Sequence, residues 1–191
     1  ANQTYAFNRG RADKDLREAG VAPEALLSLM ARLGSSQPIE LRMDLDTLAD
    51  GFELSQFGAS PTKFDAEDLW PLTREANQAR PFEVVRDRIA ALGVPAELAE
   101  RFWRVASQNI TKLDDLGGWW EIFSKGAEPQ IDPEDAEFIA EAMKLLPPPP
   151  YSDTSWAEFT TAVKEATGRK GKGLFMPLRK ALTGQAHGPD M

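Results

Sequence analysis

Apolar residues recur every three or four positions along nearly the whole chain, and the runs that carry them open on proline and close on glycine. Period-two alternation is scarce, and no Asn-Gly or Asp-Gly turn separates two alternating segments as a hairpin requires. A chain patterned in this way has one fold class open to it, all-α. Pro23 opens PEALLSLMARLG, where Leu26, Met30 and Leu33 share a face and Gly34 supplies the stop. Leu45, Leu48 and Phe52 repeat that face over a shorter stretch. Asp65, with Asp68 three residues on, reads as an acidic capping box, and Pro71 is expected to end or kink the helix behind it within two turns.

The punctuation continues to the C-terminus. A helix from Pro81 carries Val85, Ile89 and Leu92 to Gly93, and another from Pro95 through Ile110 aligns Leu98, Phe102 and Val105. Leu113, Leu116, Trp120 and Phe123 form a side interrupted by Gly117-Gly118. Asp132, Pro133 and Asp135 read as the N-cap, N1 and N3 positions of a helix with Ile139, Met143 and Leu146. Pro147 to Pro150 ends it, and four prolines favour a stiff extended spacer. Ser155 and Glu158 then form a capping box before Trp156, Phe159 and Val163, with Gly168 as the stop. A short helix runs from Pro177 through Leu178 and Leu182 to Gly184.

Composition removes several classes of function. Forty-two per cent apolar and 27% charged residues describe an ordinary globular chain rather than a disordered one. Without cysteine there are no disulfides or thiolate metal sites, and one histidine, His187, excludes zinc held by paired histidines. No segment approaches an uninterrupted apolar membrane span, and the first residues lack a signal-peptide core, so the expected location is the cytoplasm. The net charge of −8 argues against a general nucleic-acid coat, but it is unevenly spread. Residues 169–191 hold Arg169, Lys170, Lys172, Arg179 and Lys180 against Asp190, a net +4, which leaves −12 on the first 168. An anionic partner is expected at the C-terminal end; a solvated tail is the alternative.

Catalytic groups are few. The GRKGKG stretch has neither the spacing nor the preceding strand of a phosphate loop. Asp114-Asp115 and Glu134-Asp135 fall where helix starts already explain them, and His187 has no adjacent nucleophile. Trp119-Trp120 could stack bases, though aromatic residues at helical spacing usually build a core. The residues taken alone describe a helical binding module.

The last stretch, KGKGLFMPLRKALTGQAHGPDM, resembles the C-terminal signature of bacterial glutamyl-tRNA synthetases. The matching residues are Gly171, Lys172, Gly173, Leu174, Phe175, Pro177, Leu178, Arg179, Ala181, Leu182, Thr183, Gly184, Gly188 and Pro189. DLREAGVAPEALLSLMARLG, and the run from Leu48 through Lys63-Phe64-Asp65 to Leu69, are similar to the segment that follows the family's lysine-rich active-site loop. Between them a helix ending near Thr111-Lys112-Leu113 is similar to the family's anticodon-domain helix. The resemblance spans nearly the whole chain.

It implies a two-part helical anticodon-binding bundle, an α-helical cage, preceded by a helical stem-contact region. The expected divisions are a stem-contact region over 1–79, anticodon subdomains over 80–146 and 151–191, and the 147–150 proline linker between them. The partner implied is tRNA(Glu). The family's H-I-G-H-like and K-M-S-K-S-like motifs do not occur, so no catalytic residue is expected here. ATP and Mg are expected to belong to a catalytic half absent from this sequence, leaving the chain inactive alone, without metal or membrane, and monomeric. The sequence also stops where family members usually continue for another helix.

At the anticodon, the resemblance implies Arg179, with Gly188, Pro189 and Met191 on the closing loop. Helix-start packing and an internal salt bridge are the alternative for Arg179. The third anticodon position falls by collinearity around Gln108, Asn109 and Lys112, with Asn109 where an arginine is expected and Arg104 nearby. Lys170 and Lys172 suit phosphate contacts, and Lys63 and Arg74 the inner stem. The competing class is an acidic helical adaptor that docks protein partners and has lost tRNA binding.

Overall fold

The computed structural model describes residues 9–58, 62–152 and 154–186, with residues 9–13 described for their backbone alone. Ten α-helices lie among them and no strand does; Ser35 and Phe57 form one isolated bridge. The chain divides into two compact units, Ala1–Gly118 and Trp119–Met191.

The first unit contains α1 (Arg9–Ala19), α2 (Pro23–Arg32), α3 (Leu45–Ala49), α4 (Leu69–Gln78), α5 (Phe82–Ala91) and α6 (Ala96–Ala106). Helix α7 (Asp115–Lys125) crosses the division and runs unbroken through Gly117-Gly118. One core joins Val21, Ala22, Ala25 and Leu29 to Leu69, Leu72 and Ala76 of α4, flanked by Leu16, Phe64 and Trp70. Helix α5 packs on α6, burying Val85 and Ile89 on one and Ala99, Phe102, Trp103 and Ala106 on the other.

Polar side chains tie these helices together. The buried Thr73 hydroxyl accepts from the Ala22 amide at 3.3 Å, satisfying a donor at the start of α2 that has no side-chain cap of its own. Asn77 donates to the Thr111 carbonyl at 2.8 Å, and Trp103 donates to the Arg80 carbonyl at 3.2 Å. The Arg80 guanidinium forks onto both oxygens of Glu24 at 2.8 and 3.3 Å, with side chains only 15% and 22% exposed. A planar fork on a carboxylate fixes direction as well as distance.

The second unit holds α8 (Ala136–Lys144), α9 (Ser155–Thr167) and α10 (Lys172–Thr183). Phe138, Ile139 and Ala142 of α8 meet Phe159 and Val163 of α9 and Leu174 and Leu178 of α10 in one core. The proline run 147–150 therefore connects two helices that share this core.

Several local expectations are corrected. The buried face of α2 is Ala25, Ser28 and Leu29, while Met30 is 43% exposed; α6 likewise buries Ala99, Phe102 and Trp103 and exposes Leu98 and Val105. Helix α3 ends before Phe52, and Leu45 is 67% exposed. On α7, Leu116 and Trp119 are buried while Phe123 is exposed, and Met143 of α8 is exposed too. Asp65 does cap, accepting from Glu67, but it caps a 3₁₀ turn; α4 starts at Leu69, so Pro71 sits in its first turn, where a missing N–H costs little. Helix α6 ends at Ala106 and passes into a 3₁₀ turn, Ser107–Asn109, short of Lys112. Ser155 accepts from the Ser152 amide, and it is the Thr154 hydroxyl that donates to Glu158. The last helix begins at Lys172, and Pro177 lies inside it.

Candidate nucleic-acid interface

The second unit builds its candidate surface at the turn between α9 and α10. Gly168 closes α9 in the left-handed region at φ 69°, and Gly171 turns the chain again at φ 52°, ψ −134°, which glycine alone adopts easily. Gly173 is already helical, so the glycines beside Lys170 and Lys172 set a defined turn. Both lysines are exposed. They stand at the start of a helix with no acidic residue in its first turn. The positive end of a helix dipole disfavours cations and favours anions, so stability does not explain lysines there. An anion between them and the α10 N-terminus would be favoured there.

Arg169 holds this turn from behind. Its guanidinium lies 4.1 Å from the Phe138 ring centroid, pairs with Asp135 and donates to the Gly173 carbonyl at 3.3 Å. That carbonyl would ordinarily accept from residue 177. Pro177 has no N–H to give, and the arginine takes its place. Farther along α10, Lys180 donates to Asp132 at 2.7 Å. Hydrogen bonding to Asp132, with its charge and those of Asp135 and Glu134, raises the Lys180 pKa. Asp132, Glu134 and Asp135 can bring three carboxylate oxygens within 4.8 Å of one another, but Lys180 and Arg169 already answer two of them.

Arg179 lies partly buried two turns into α10, and its carbonyl accepts from the Thr183 hydroxyl at 2.8 Å. The helix-start placement considered for it is therefore incorrect. Gly188, Pro189 and Met191, and His187 with them, lie outside the described residues.

The first unit gathers a second group around the end of α6. Arg104 and Gln108 are exposed. The Gln78 side chain donates to the Gln108 carbonyl at 3.0 Å, which fixes the 3₁₀ turn to the helix that carries exposed Arg74 one turn earlier. Asn109 turns its amide back onto the Val105 carbonyl at 3.0 Å. The Lys112 ammonium sits 4.6 Å from the Trp70 ring centroid, and its methylenes pass over Gly20. Lys63 is exposed and 3.9 Å from Asp65. Trp119 is 6% exposed, with its ring 6.1 Å from Phe123, so it is a core residue. Arg169 entered the sequence reading only as one charge in a basic tip. Its partners Asp135 and Phe138 lie more than 30 residues earlier in the chain, and no local pattern points to them.

Residues 65–191 match the family model described as an anticodon binding domain. Glutamate–tRNA ligase 1 of Paracoccus denitrificans is 86% identical over 178 residues, which are 93% of this chain and 40% of that protein. Glutamate–tRNA ligase 2 of Cereibacter sphaeroides (strain ATCC 17029) is 74% identical over the same shares. The chain thus spans well under half the length of these curated relatives. The crystal structure of a glutamate tRNA ligase from Elizabethkingia meningosepticum superposes with a TM-score of 0.63, covering 92% of this chain and 38% of that one. At 24% identity that likeness is one of fold.

Proposed function

Because the chain belongs to the anticodon binding domain family, whose model it matches over residues 65–191, we propose that it is the tRNA-recognition portion of a glutamate–tRNA ligase. The observation that carries this reading is the 86% identity to such a ligase over 93% of the chain. Attachment of glutamate to the tRNA 3′ end, with its ATP and Mg²⁺, is assigned to the part of the ligase beyond the matched 40%. This chain's residues bind and orient the RNA, as a cytoplasmic monomer acting on tRNA(Glu).

Anticodon bases are unpaired and can be splayed, stacked and read on their edges, which is how proteins obtain most RNA sequence specificity. Arg179 stacks on or donates to one such base, its planar fork serving both tasks. Gly188, Pro189 and Met191 approach the first two positions. Arg104, Gln108, Asn109 and Lys112 stand at the third. Asn109, committed to Val105, makes third-base discrimination less strict than an arginine would. Lys170, Lys172, Lys63 and Arg74 neutralise phosphates, which position the RNA without reading it.

The test is a titration of the 191-residue chain into labelled tRNA(Glu) and into transcripts with single anticodon substitutions, at two salt concentrations. Substitutions at positions read on their edges are expected to cost about 1–3 kcal/mol each, as a lost base-edge contact does. Arg179→Ala should weaken binding to the unaltered anticodon by about tenfold or more and narrow the difference between anticodons. Equal binding to every anticodon, or none to any, overturns the reading and favours a protein-docking adaptor.

A further inference from the structure

Resting on that reading, we propose that Arg169 is a positioning residue: it pins the α9–α10 turn so that Lys170 and Lys172 meet RNA phosphates together, and does not itself contact RNA. Three independent anchors converge on its guanidinium. They are the Phe138 face at 4.1 Å, the Asp135 carboxylate with a side chain 15% exposed, and the Gly173 carbonyl at 3.3 Å. Asp135 and Phe138 belong to the start of α8 and Gly173 to the start of α10, so one side chain ties both to the turn. The two lysines follow the pin at one and three residues' distance, and both are exposed.

The arrangement needs an explanation beyond packing. Helix α10 gives up one internal hydrogen bond at Pro177, and the carbonyl left over is the one Arg169 uses. The arginine is turned inward toward an acid while the lysines one and three residues after it stay outward as cations. A solvated basic tail has no use for that division. A rigid two-cation clamp does, because two phosphate contacts made at fixed spacing avoid the ordering cost that two mobile lysines would carry. Lysine could not replace the arginine, since a single ammonium cannot stack on Phe138 while forking to Asp135 and Gly173.

Asp135→Asn separates positioning from bulk charge by sign. It removes one negative charge near the turn, so long-range electrostatics alone predicts tighter RNA binding. Loosening the pin predicts the opposite, a several-fold weaker complex, although asparagine keeps the side-chain shape and its aptitude at a helix start. Arg169→Ala is expected to weaken binding to tRNA(Glu) about tenfold near 0.1 M salt. It should also flatten the plot of log affinity against log salt by between about one and two contacts' worth. In a Lys170→Ala/Lys172→Ala background, the same Arg169→Ala change should do almost nothing. Thermal unfolding of each variant establishes that the folded fraction is complete at the titration temperature.

Tighter binding by Asp135→Asn overturns the pin. So does an Arg169→Ala effect of equal size with and without the two lysines, which would mark direct contact or general loss of structure. Failure of the unaltered chain to bind RNA in a salt-dependent way overturns the functional reading, and the pin with it. Intact, anticodon-dependent binding that ignores both Asp135→Asn and Arg169→Ala overturns the pin alone.

Discussion

Two glycines with the same left-handed backbone separate strain from contact. At Gly168, φ 69°, an added Cβ meets nothing within 4 Å; at Gly184, φ 66°, it comes within 2.7 Å of the Glu128 carbonyl oxygen. Gly168→Ala should therefore cost only the backbone term, about 1 kcal/mol, and Gly184→Ala distinctly more, because backbone atoms must also move. Urea unfolding of the pair measures the difference, and equal costs would mean that the 127–130 segment yields freely. The Lys180–Asp132 pair makes a pH prediction. Asp132 raises the Lys180 pKa above its ordinary 10.5. The stabilisation is thus fully present below the unfolded value and disappears as pH climbs through the higher folded one. Asp132→Asn should leave stability flatter across that alkaline window; an unchanged alkaline fall would show that another group titrates there. Among the candidate contacts, the exposed cations were legible as residues. What each was tied to was not: Lys112 lies over Trp70 and Asn109 bonds Val105, pairings that sequence order does not display.

Helix starts and stops were legible because proline and glycine act through their own backbones. Pro23 opens α2, Pro81 and Pro95 stand at the caps of α5 and α6, and Gly168 and Gly184 close α9 and α10 in left-handed conformations. Buried faces were read less well, and the cause is alanine. Ala25, Ala76, Ala99 and Ala106 line the contacts, each 6% exposed or less, because small side chains let helix axes approach. A pattern search follows large side chains, so it settled on Met30, Leu98 and Val105 at the margins. The two faces of α2 can be told apart directly. Leu29→Ala should lose about 3 kcal/mol, as removal of a fully buried leucine does, and Met30→Ala less than about 1 kcal/mol. Comparable losses at both positions would mean that the helix is rotated. Pro177 misled in another way: as a helix opener it would have begun α10 five residues late, whereas it is accommodated because Arg169 serves the carbonyl it abandons.

On the proposed function, charge over the whole chain decides how RNA approaches. The net charge is −8, while 169–191 is positive, so attraction is local and repulsion is global. At 0.1 M salt the screening length is about 10 Å and only the neighbourhood of the basic turn is felt; at 0.01 M it is about 30 Å, and the acidic remainder is felt too. Affinity for tRNA should rise as salt falls, then level off below about 0.02 M instead of climbing along a straight log–log line. Titrations from 10 to 300 mM would show the bend; a line straight to the lowest salt would mean that the acidic surface is held far from the RNA. The all-helical class and the polarity of the tip were legible because both are sums over many residues. Which helices share a core was not. The proline run reads as a spacer, yet α8 before it and α9 after it bury Phe138, Ile139, Phe159 and Val163 together.

Pro177 also divides α10 for deuterium exchange. A proline has no amide hydrogen, so the helix carries a one-residue gap in its exchangeable positions. Amides of Leu174 and Phe175, both bonded to the Gly171 carbonyl, lie before the gap, and those from Leu178 onward lie after it. A ligand seated at the turn would slow exchange in the first group and leave the second as its reference. One short helix thus holds both sensor and standard, in adjacent peptides of a single digest.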